Sequence, residues 1–285
     1  MFFYSSKFVK SSLIFGSLYS FFKGFNKQEL RVKPPLHYSH ALNLNLKEFL
    51  WGKNITYPDW DDDWDKRQEL DKSGDKDKMM CTRTLLFIRH GDYYKEGPKK
   101  GHLNQEGTDQ SHWAGKRLNE LMKNNLVINR FIISTMPRAK ETYRLMVQHF
   151  SAHHKINKFF TDTVTEGYPC EPDPKAGMKR PSHVLFQDSL RLESAFRKLF
   201  YRPQSSDDST YDVVVCHANL IRYFVMRALQ LPKQAWLRFE LHNASFTEIT
   251  ISNTGLVGVM NVGEHFHVKR LEESSVDDEF VDVAE

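Results

Sequence analysis

From residue 81 onward, short apolar runs alternate with amphipathic stretches. Thr84-Leu-Leu-Phe-Ile88, Phe131-Ile-Ile133 and Asp212-Val-Val-Val-Cys216 have the length and β-branched or aromatic content of buried strands. Between them, residues 106–123 place Ala114, Leu118 and Leu121 four and then three apart, which predicts a helix. Residues 137–150 predict a second helix, with Pro137 suited to its first turn. Further helices are expected over 187–200 and 218–229. Late strands are expected over 244–252 and 256–262, around the Asn253-Thr254-Gly255 turn. This alternation predicts an α/β fold: three layers, with a mostly parallel sheet and helices on both faces. In such sheets, sites form at the carboxyl ends of the strands.

The chain upstream reads differently. Residues 29–80 have a linker composition, with Pro34-Pro35 and a charge run, but they include Trp60-Asp61-Asp62-Asp63-Trp64-Asp65. Tryptophan is enriched at protein contacts. A docking segment for a partner and a segment packing on its own domain are both open; if helical, Trp60 and Trp64 share a face. Before residue 29 there is no acid, and residues 11–22 are uncharged and mostly apolar or small, with Lys7 and Lys10 before them and Lys23 and Lys27 after. A secretory signal, a mitochondrial address and a membrane anchor compete, with a disordered tail as the plain alternative. The absence of a small-x-small cleavage site weakens secretion. The basic, Ser-rich composition favours a mitochondrial address combined with an anchor over 1–28.

Composition narrows the function classes. Hydrophobic residues make up 40% and charged residues 27% of the 285, which excludes a wholly disordered or polytopic membrane chain. Three cysteines give no disulfide framework, and Cys81, Cys170 and Cys216 lack zinc-site spacing. Residues 1–33 hold six bases against one acid, and residues 271–285 hold seven acids and no base. With a net charge of +4 overall, the body between them is left basic. A basic body suits phosphorylated substrates. No dense Lys/Arg stripe points to nucleic acid. The acidic tail reads as solvated.

The strand ends carry the chemistry. The first predicted strand ends in Arg89-His90-Gly91. The second ends in Ser134-Thr135-Met136-Pro137-Arg138, and the third in Cys216-His217-Ala218-Asn219. Glu166 precedes a turn at Gly167-Tyr168-Pro169. Two arginines, two histidines and a carboxyl group suggest phosphoryl chemistry. Guanidinium forks fit phosphate oxygens, a neutral imidazole can hold a phosphoryl group covalently, and a carboxylic acid can protonate a leaving oxygen. Arg138 paired with Glu141, and Cys216 as a nucleophile, are the plainer and the rival readings of those residues.

At these residues the chain resembles the histidine phosphatase superfamily, with its phosphoglycerate mutase-like fold. The resemblance rests on Arg89-His90-Gly91, Leu103-Asn104-Gln105-Glu106-Gly107-Thr108-Asp109-Gln110, Ser134–Thr142 and Val215-Cys216-His217-Ala218. The Glu166–Pro174 stretch, the Cys216–Tyr223 stretch and the Trp60–Asp65 segment are similar to the mitochondrial serine/threonine phosphatase branch of that family, with Asp63 where the family has Asn. The resemblance implies a phosphatase domain over 81–270. His90 would be the nucleophile, Arg89 and Arg138 the phosphate grips, His217 a donor to the transferring group and Glu166 the proton donor and later the base. It implies no metal and no cofactor, phosphoprotein substrates, and self-association through Trp60, Asp61, Trp64 and Asp65. It also implies anchoring in a mitochondrial membrane, with the outer favoured over the inner. Asp63 puts the affinity of the assembly contact in question. The residues after Arg89-His90-Gly91 and after Glu166 lack the glycolytic mutase patterns. A small-molecule phosphatase or mutase of the same fold, or a partner-binding scaffold, would be the alternatives.

Overall fold

A computed structural model of the chain describes residues 59–67, 80–124, 126–150, 155–175, 180–204 and 208–268. The expected anchor over 1–28 and the acidic tail over 271–285 lie outside the described residues. Among the described residues, no helix is long and apolar enough to cross a membrane.

The order is β1 (Thr82–Arg89), α1 (Gln105–Lys123), β2 (Arg130–Ser134), α2 (Pro137–Met146), β3 (Asn157–Thr161), α3 (Ser182–Leu199), β4 (Thr210–Cys216), α4 (Ala218–Ala228), β5 (Phe246–Ser252) and β6 (Val257–Glu264). The strands form one sheet in the order β3-β2-β4-β1-β5-β6. The first four are parallel, while β5 runs antiparallel to β1 and β6 antiparallel to β5. Alternate residues of each strand face opposite sides, so each face acquires its own core. Leu85, Phe87, Val214 and Ile249 pack with Leu192, Phe196, Leu220 and Phe224 of α3 and α4. Leu86, Ile88, Ile133 and Val215 pack with Ala114, Leu118, Tyr143 and Met146 of α1 and α2.

The register of β1 on β4 positions the site. Arg89 pairs with Cys216, and the His90 amide donates to the Cys216 carbonyl at 3.0 Å. His90 and His217, each one residue beyond a paired strand end, are therefore neighbours. Ile133 of β2 pairs with Val215, which brings Ser134 to the same end.

Beyond shifts of a few residues at element ends, three differences from the sequence expectation stand out. β3 has no counterpart in it. This strand is the sheet's outer edge, and Phe159 and Phe160 are 52% and 46% exposed, so neither alternation nor a buried run marks it. α3 begins at Ser182 rather than 187, and its added first turn is only partly buried, with Leu185 packing beside Tyr168 and Trp236. Ala244 has φ +58° in a turn, so β5 begins at Phe246.

The Trp-Asp segment forms turns rather than a helix, with the Lys66 amide donating to the Asp63 carbonyl at 2.9 Å. Its two tryptophans therefore have different fates. Trp64 donates from Nε1 to the Gly255 carbonyl at 2.9 Å and lies 6.4 Å from the Phe196 ring, whereas Trp60 is 41% exposed. The Asp65 carboxylate is buried against the Arg202 guanidinium at 2.8 Å and also accepts the Arg202 amide. The Asp61 backbone and the Gln230 amide exchange two hydrogen bonds. Trp64 and Asp65 thus pack on their own domain.

Candidate active site

The carboxyl ends of β1, β2 and β4 bring His90, Arg89, Arg138 and His217 together. His90 is 2% exposed, and its Nδ1 lies 2.7 Å from the Gly91 carbonyl oxygen. A carbonyl can only accept, so Nδ1 carries the proton and Nε2 keeps its lone pair. Arg138 donates from Nε to that Nε2 at 3.0 Å. Burial, and then the Arg138 and Arg89 charges, hold His90 well below the usual histidine range, against the Gly91 bond that raises it. The imidazole is accordingly neutral at neutral pH.

Several contacts fix this ring and its partner. The Asn243 amide and the Ala244 N–H donate to the His90 carbonyl. The Gly91 N–H donates to Thr142 Oγ1 at 3.0 Å, and that hydroxyl donates to the Arg138 carbonyl at 2.8 Å. The Arg138 guanidinium lies 4.5 Å over the Tyr93 ring, which also meets His90 edge-on at 5.3 Å. Glu141 takes the Leu103 amide at 2.8 Å and the His102 ring, so it latches the loop after His90 rather than pairing with Arg138. Asn104 caps α1 by accepting the Gly107 amide at 2.8 Å, and Gln110 accepts the Asp92 amide at 2.8 Å. A Cβ at Gly107 would fall 1.9 Å from the Asp92 carbonyl oxygen, so this helix start touches the loop only as glycine.

Arg89 donates from Nη1 to the Leu241 carbonyl, while its Nε is buried with no partner. His217 is fully buried, with Nε2 2.7 Å from Ser134 Oγ and Nδ1 lacking a partner. Burial first, then the neighbouring His90 and arginines, hold His217 well below the usual histidine range. The rings of His90 and His217 are 5.0 Å apart. Two orphaned buried groups beside a neutral imidazole form a cradle for an anion.

Glu166 comes from the loop after the short 3₁₀ turn Asp162–Val164. Its Oε1 accepts the Asn219 amide at 3.2 Å, at the first turn of α4, and the Gly167 amide at 3.3 Å. Burial raises its carboxyl above the usual range, and the two amides, Arg138 and Arg89 oppose that rise. Arg191 of α3 positions this loop, donating to the Thr165 carbonyl at 2.7 Å and the Glu166 carbonyl at 2.9 Å. Asp188 takes Arg191 Nη2 at 2.8 Å and the Tyr168 amide at 3.0 Å. A Cβ on Gly167 would lie 2.4 Å from the Arg191 guanidinium.

Sequence reasoning missed Ser134, Asp188, Arg191 and Asn243. Each acts on a backbone group or a histidine ring through side-chain hydrogen bonds, and no spacing pattern announces that. Ser134 alone carried a signal, as the first residue of the Ser134–Thr142 motif. Cys216 is buried with its thiol pushed well up by burial, which keeps it protonated and unreactive. Glu171 and Asp173 lie farther along the loop, and Asp173 pairs with exposed Arg238. Among the described residues, no group of three or more His, Cys, Asp or Glu side chains could hold a metal ion.

Comparison with known proteins gives the same direction. A family described as the histidine phosphatase superfamily (branch 1) matches residues 187–261. A mitochondrial serine/threonine-protein phosphatase, Pgam5 of Caenorhabditis briggsae, is 35% identical over 228 residues, covering 74% of this chain and 78% of that protein. PGAM5 of Homo sapiens, with the same description, is 34% identical over 226 residues, covering 72% and 76%. Among solved structures, Bacillus stearothermophilus YhfR aligns with a TM-score of 0.50 at 16% identity, over 66% of this chain and 100% of that one, a likeness of fold.

Proposed function

The chain belongs to the Pgam5 family of mitochondrial serine/threonine-protein phosphatases, within the histidine phosphatase superfamily, and we propose that it removes phosphate from phosphoserine and phosphothreonine of proteins through a phosphohistidine intermediate. The observation that carries this reading is the state of His90. Its Nδ1 proton is held by the Gly91 carbonyl, and its Nε2 lone pair faces the arginines.

In the first half-reaction, His90 Nε2 attacks phosphorus. A P–N bond forms, the bond from phosphorus to the serine or threonine oxygen breaks, and Glu166 gives its proton to that oxygen. As the ring commits its lone pair, the Arg138 Nε–H that rests on Nε2 redirects its hydrogen bond to a phosphoryl oxygen and keeps its proton. Arg89 Nε and His217 Nδ1, both without a protein partner, supply further donors where negative charge develops. In the second half-reaction, the ionised Glu166 takes a proton from water, the water oxygen attacks phosphorus, and the P–N bond breaks to return neutral His90 and inorganic phosphate. The arginines supply the positive field that a metal supplies elsewhere.

The titration shifts support the pairing. His90 must be neutral while Glu166 must be protonated. At the ordinary values of 6.5 and 4.5, at most about 1% of molecules would hold both states at once, at a pH midway between the two. Lowering His90 and raising Glu166 moves both groups toward the required pair of states.

The same reading includes residence in the mitochondrion, with residues 1–28 anchoring the chain in a membrane, the outer favoured. It includes self-association through residues 60–65, for which exposed Trp60 is the available element. It excludes glycolytic mutase activity, because the sequence lacks the mutase patterns. The test incubates the protein with phosphoserine, phosphothreonine and phosphotyrosine peptides and with 3-phosphoglycerate, beside His90→Ala. Phosphate release from the first two peptides, abolished by His90→Ala, is expected. Turnover of 3-phosphoglycerate to its isomer, or release that His90→Ala leaves intact, would overturn the reading.

A further inference from the structure

We propose that Ser134 is a positioning residue that fixes the tautomer of His217, so that the ring presents Nδ1–H to the transferring phosphoryl group. The proposal rests on the phosphohistidine reading above and adds the residue that determines which nitrogen of the second histidine can donate.

The argument is a count of hydrogens. Ser134 Oγ is fully buried, with one hydrogen to give and two lone pairs. The Met136 amide donates to it at 3.3 Å, which occupies one lone pair. Its other contact is His217 Nε2 at 2.7 Å. If the ring carried its proton on Nε2 and donated to Ser134, the hydroxyl hydrogen would point nowhere and Nδ1 would hold an unmatched lone pair. Two buried groups would then be unsatisfied. If Ser134 donates to Nε2 instead, only Nδ1–H stays open, and that atom is the one without a partner. The open N–H belongs to a ring 5.0 Å from the ring of His90, at the strand end where Arg89 Nε is likewise open.

The surroundings favour a ring whose tautomer matters. His217 is the N-cap of α4, so the positive end of the helix dipole opposes an imidazolium there. Arg138, Arg89 and Arg191 act in the same direction. A neutral ring has one N–H, and its placement decides whether the ring can stabilise an oxyanion. In an unconstrained histidine the proton favours Nε2, the wrong side for this site. The Ser134 hydroxyl reverses that preference.

Two readouts test this on the full-length protein. Two-bond ¹H–¹⁵N correlation spectra of His217, assigned by its loss in His217→Asn, should show the protonated nitrogen as Nδ1 in the native protein and as Nε2 in Ser134→Ala. With a phosphoserine peptide, Ser134→Ala should lower kcat about 10- to 100-fold with KM within about twofold, since a donor to the developing oxyanion is lost. Ser134→Thr, which keeps the hydroxyl, should restore the Nδ1–H signal and most of kcat. A native His217 protonated on Nε2 would overturn the proposal, as would a Ser134→Ala protein with undiminished kcat. A native protein that shows the Nδ1–H form but hydrolyses no phosphopeptide would sink the phosphatase reading while leaving the tautomer assignment standing.

Discussion

The two ends of β1, β2 and β4 use the same residue types to opposite ends. At the amino ends, Arg83 of β1 and Arg130 of β2 converge on Asp212 of β4, with contacts of 2.6 and 2.9 Å. Arg83 and Asp212 are buried, and the Arg83 guanidinium also gives a hydrogen to the Leu199 carbonyl and stacks over Tyr201 at 4.2 Å. At the carboxyl ends, His217 and Arg138 are buried and Arg89 is partly buried. Yet Arg89 Nε and His217 Nδ1 have no partner, and the Arg138 Nε–H rests on the lone pair of His90. The cations at the amino end, buried Arg83 and partly exposed Arg130, are closed by a carboxylate at contact distance. Those at the carboxyl end are left with donors to spare. The difference teaches where to look for chemistry: a buried arginine alone says little, and a buried arginine with an unspent N–H says a good deal.

The largest test strikes the closed end. Asp212→Ala strips the carboxylate from the buried Arg83 guanidinium. Breaking a buried ion pair in this way costs about 3–5 kcal/mol. Urea unfolding should show that loss with the slope preserved, while the folded fraction keeps its specific activity. If Asp212→Ala instead removed activity from folded protein, the two ends would be coupled and the contrast between them would fail.

A test at the open end comes next. Glu166→Gln should lower kcat about 10²- to 10³-fold, about 3–4 kcal/mol in barrier, within the usual range for losing a general acid. With His90 as the proposed nucleophile and Glu166 as the proposed acid, native activity should fall as pH drops through the lowered His90 value and as pH rises through the raised Glu166 value. Glu166→Gln should erase the alkaline limb and keep the acid one. A variant profile with both limbs intact would assign the acid to another group.

Arg191→Ala should have a smaller effect, about tenfold on kcat or about 1.4 kcal/mol. Its guanidinium holds two carbonyls of the Glu166 loop and touches no reacting atom. Loss of substrate affinity without loss of kcat would move Arg191 from positioning the acid to binding the peptide.

These residues also show how far the sequence could be read. The strand ends that carry His90, Arg138 and His217 were legible because an apolar run followed by a polar residue marks where a buried strand surfaces. The resemblance supplied their roles, and the parallel register of β1 on β4 explains why residues 127 apart in sequence become neighbours. Arg191, Asp188 and Asn243 were not legible. They recognise backbone groups, which are the same in every residue, so nothing in the sequence at Glu166 or His90 calls for them. β3 escaped for a related reason. An edge strand with Phe159 and Phe160 half exposed lacks the burial that creates a pattern. The Trp-Asp segment misled in the other direction. Trp60 and Trp64 at a spacing of four suggested one helical face, but the turn is set by Asp65 reaching Arg202 and by Asp61 meeting Gln230, and these partners lie at least 137 residues away.

The smallest effect is expected in that segment, at Asp63. The resemblance puts Asn at this position, so the extra charge invites the idea that it weakens the fold locally. The Asp63 carboxylate lies 3.8 Å from Lys66 Nζ, and Asp61 lies 3.6 Å from the same ammonium, with the lysine side chain 68% exposed. Exposed pairs of this kind contribute about 0–1 kcal/mol, and the two acids repel each other while sharing one cation. The backbone bonds that shape the turn, from the Lys66 amide to the Asp63 carbonyl and from the Asp63 amide to Asp61 Oδ1, survive in an asparagine. Asp63→Asn should therefore change the unfolding free energy by no more than about 0.5 kcal/mol in either direction, with kcat unaltered in dilute solution. Sedimentation across a concentration series then isolates what the charge does between molecules. Tighter association of Asp63→Asn at unchanged monomer stability would place the effect of Asp63 at a contact between chains, and a stability change above about 1 kcal/mol would place it within the turn.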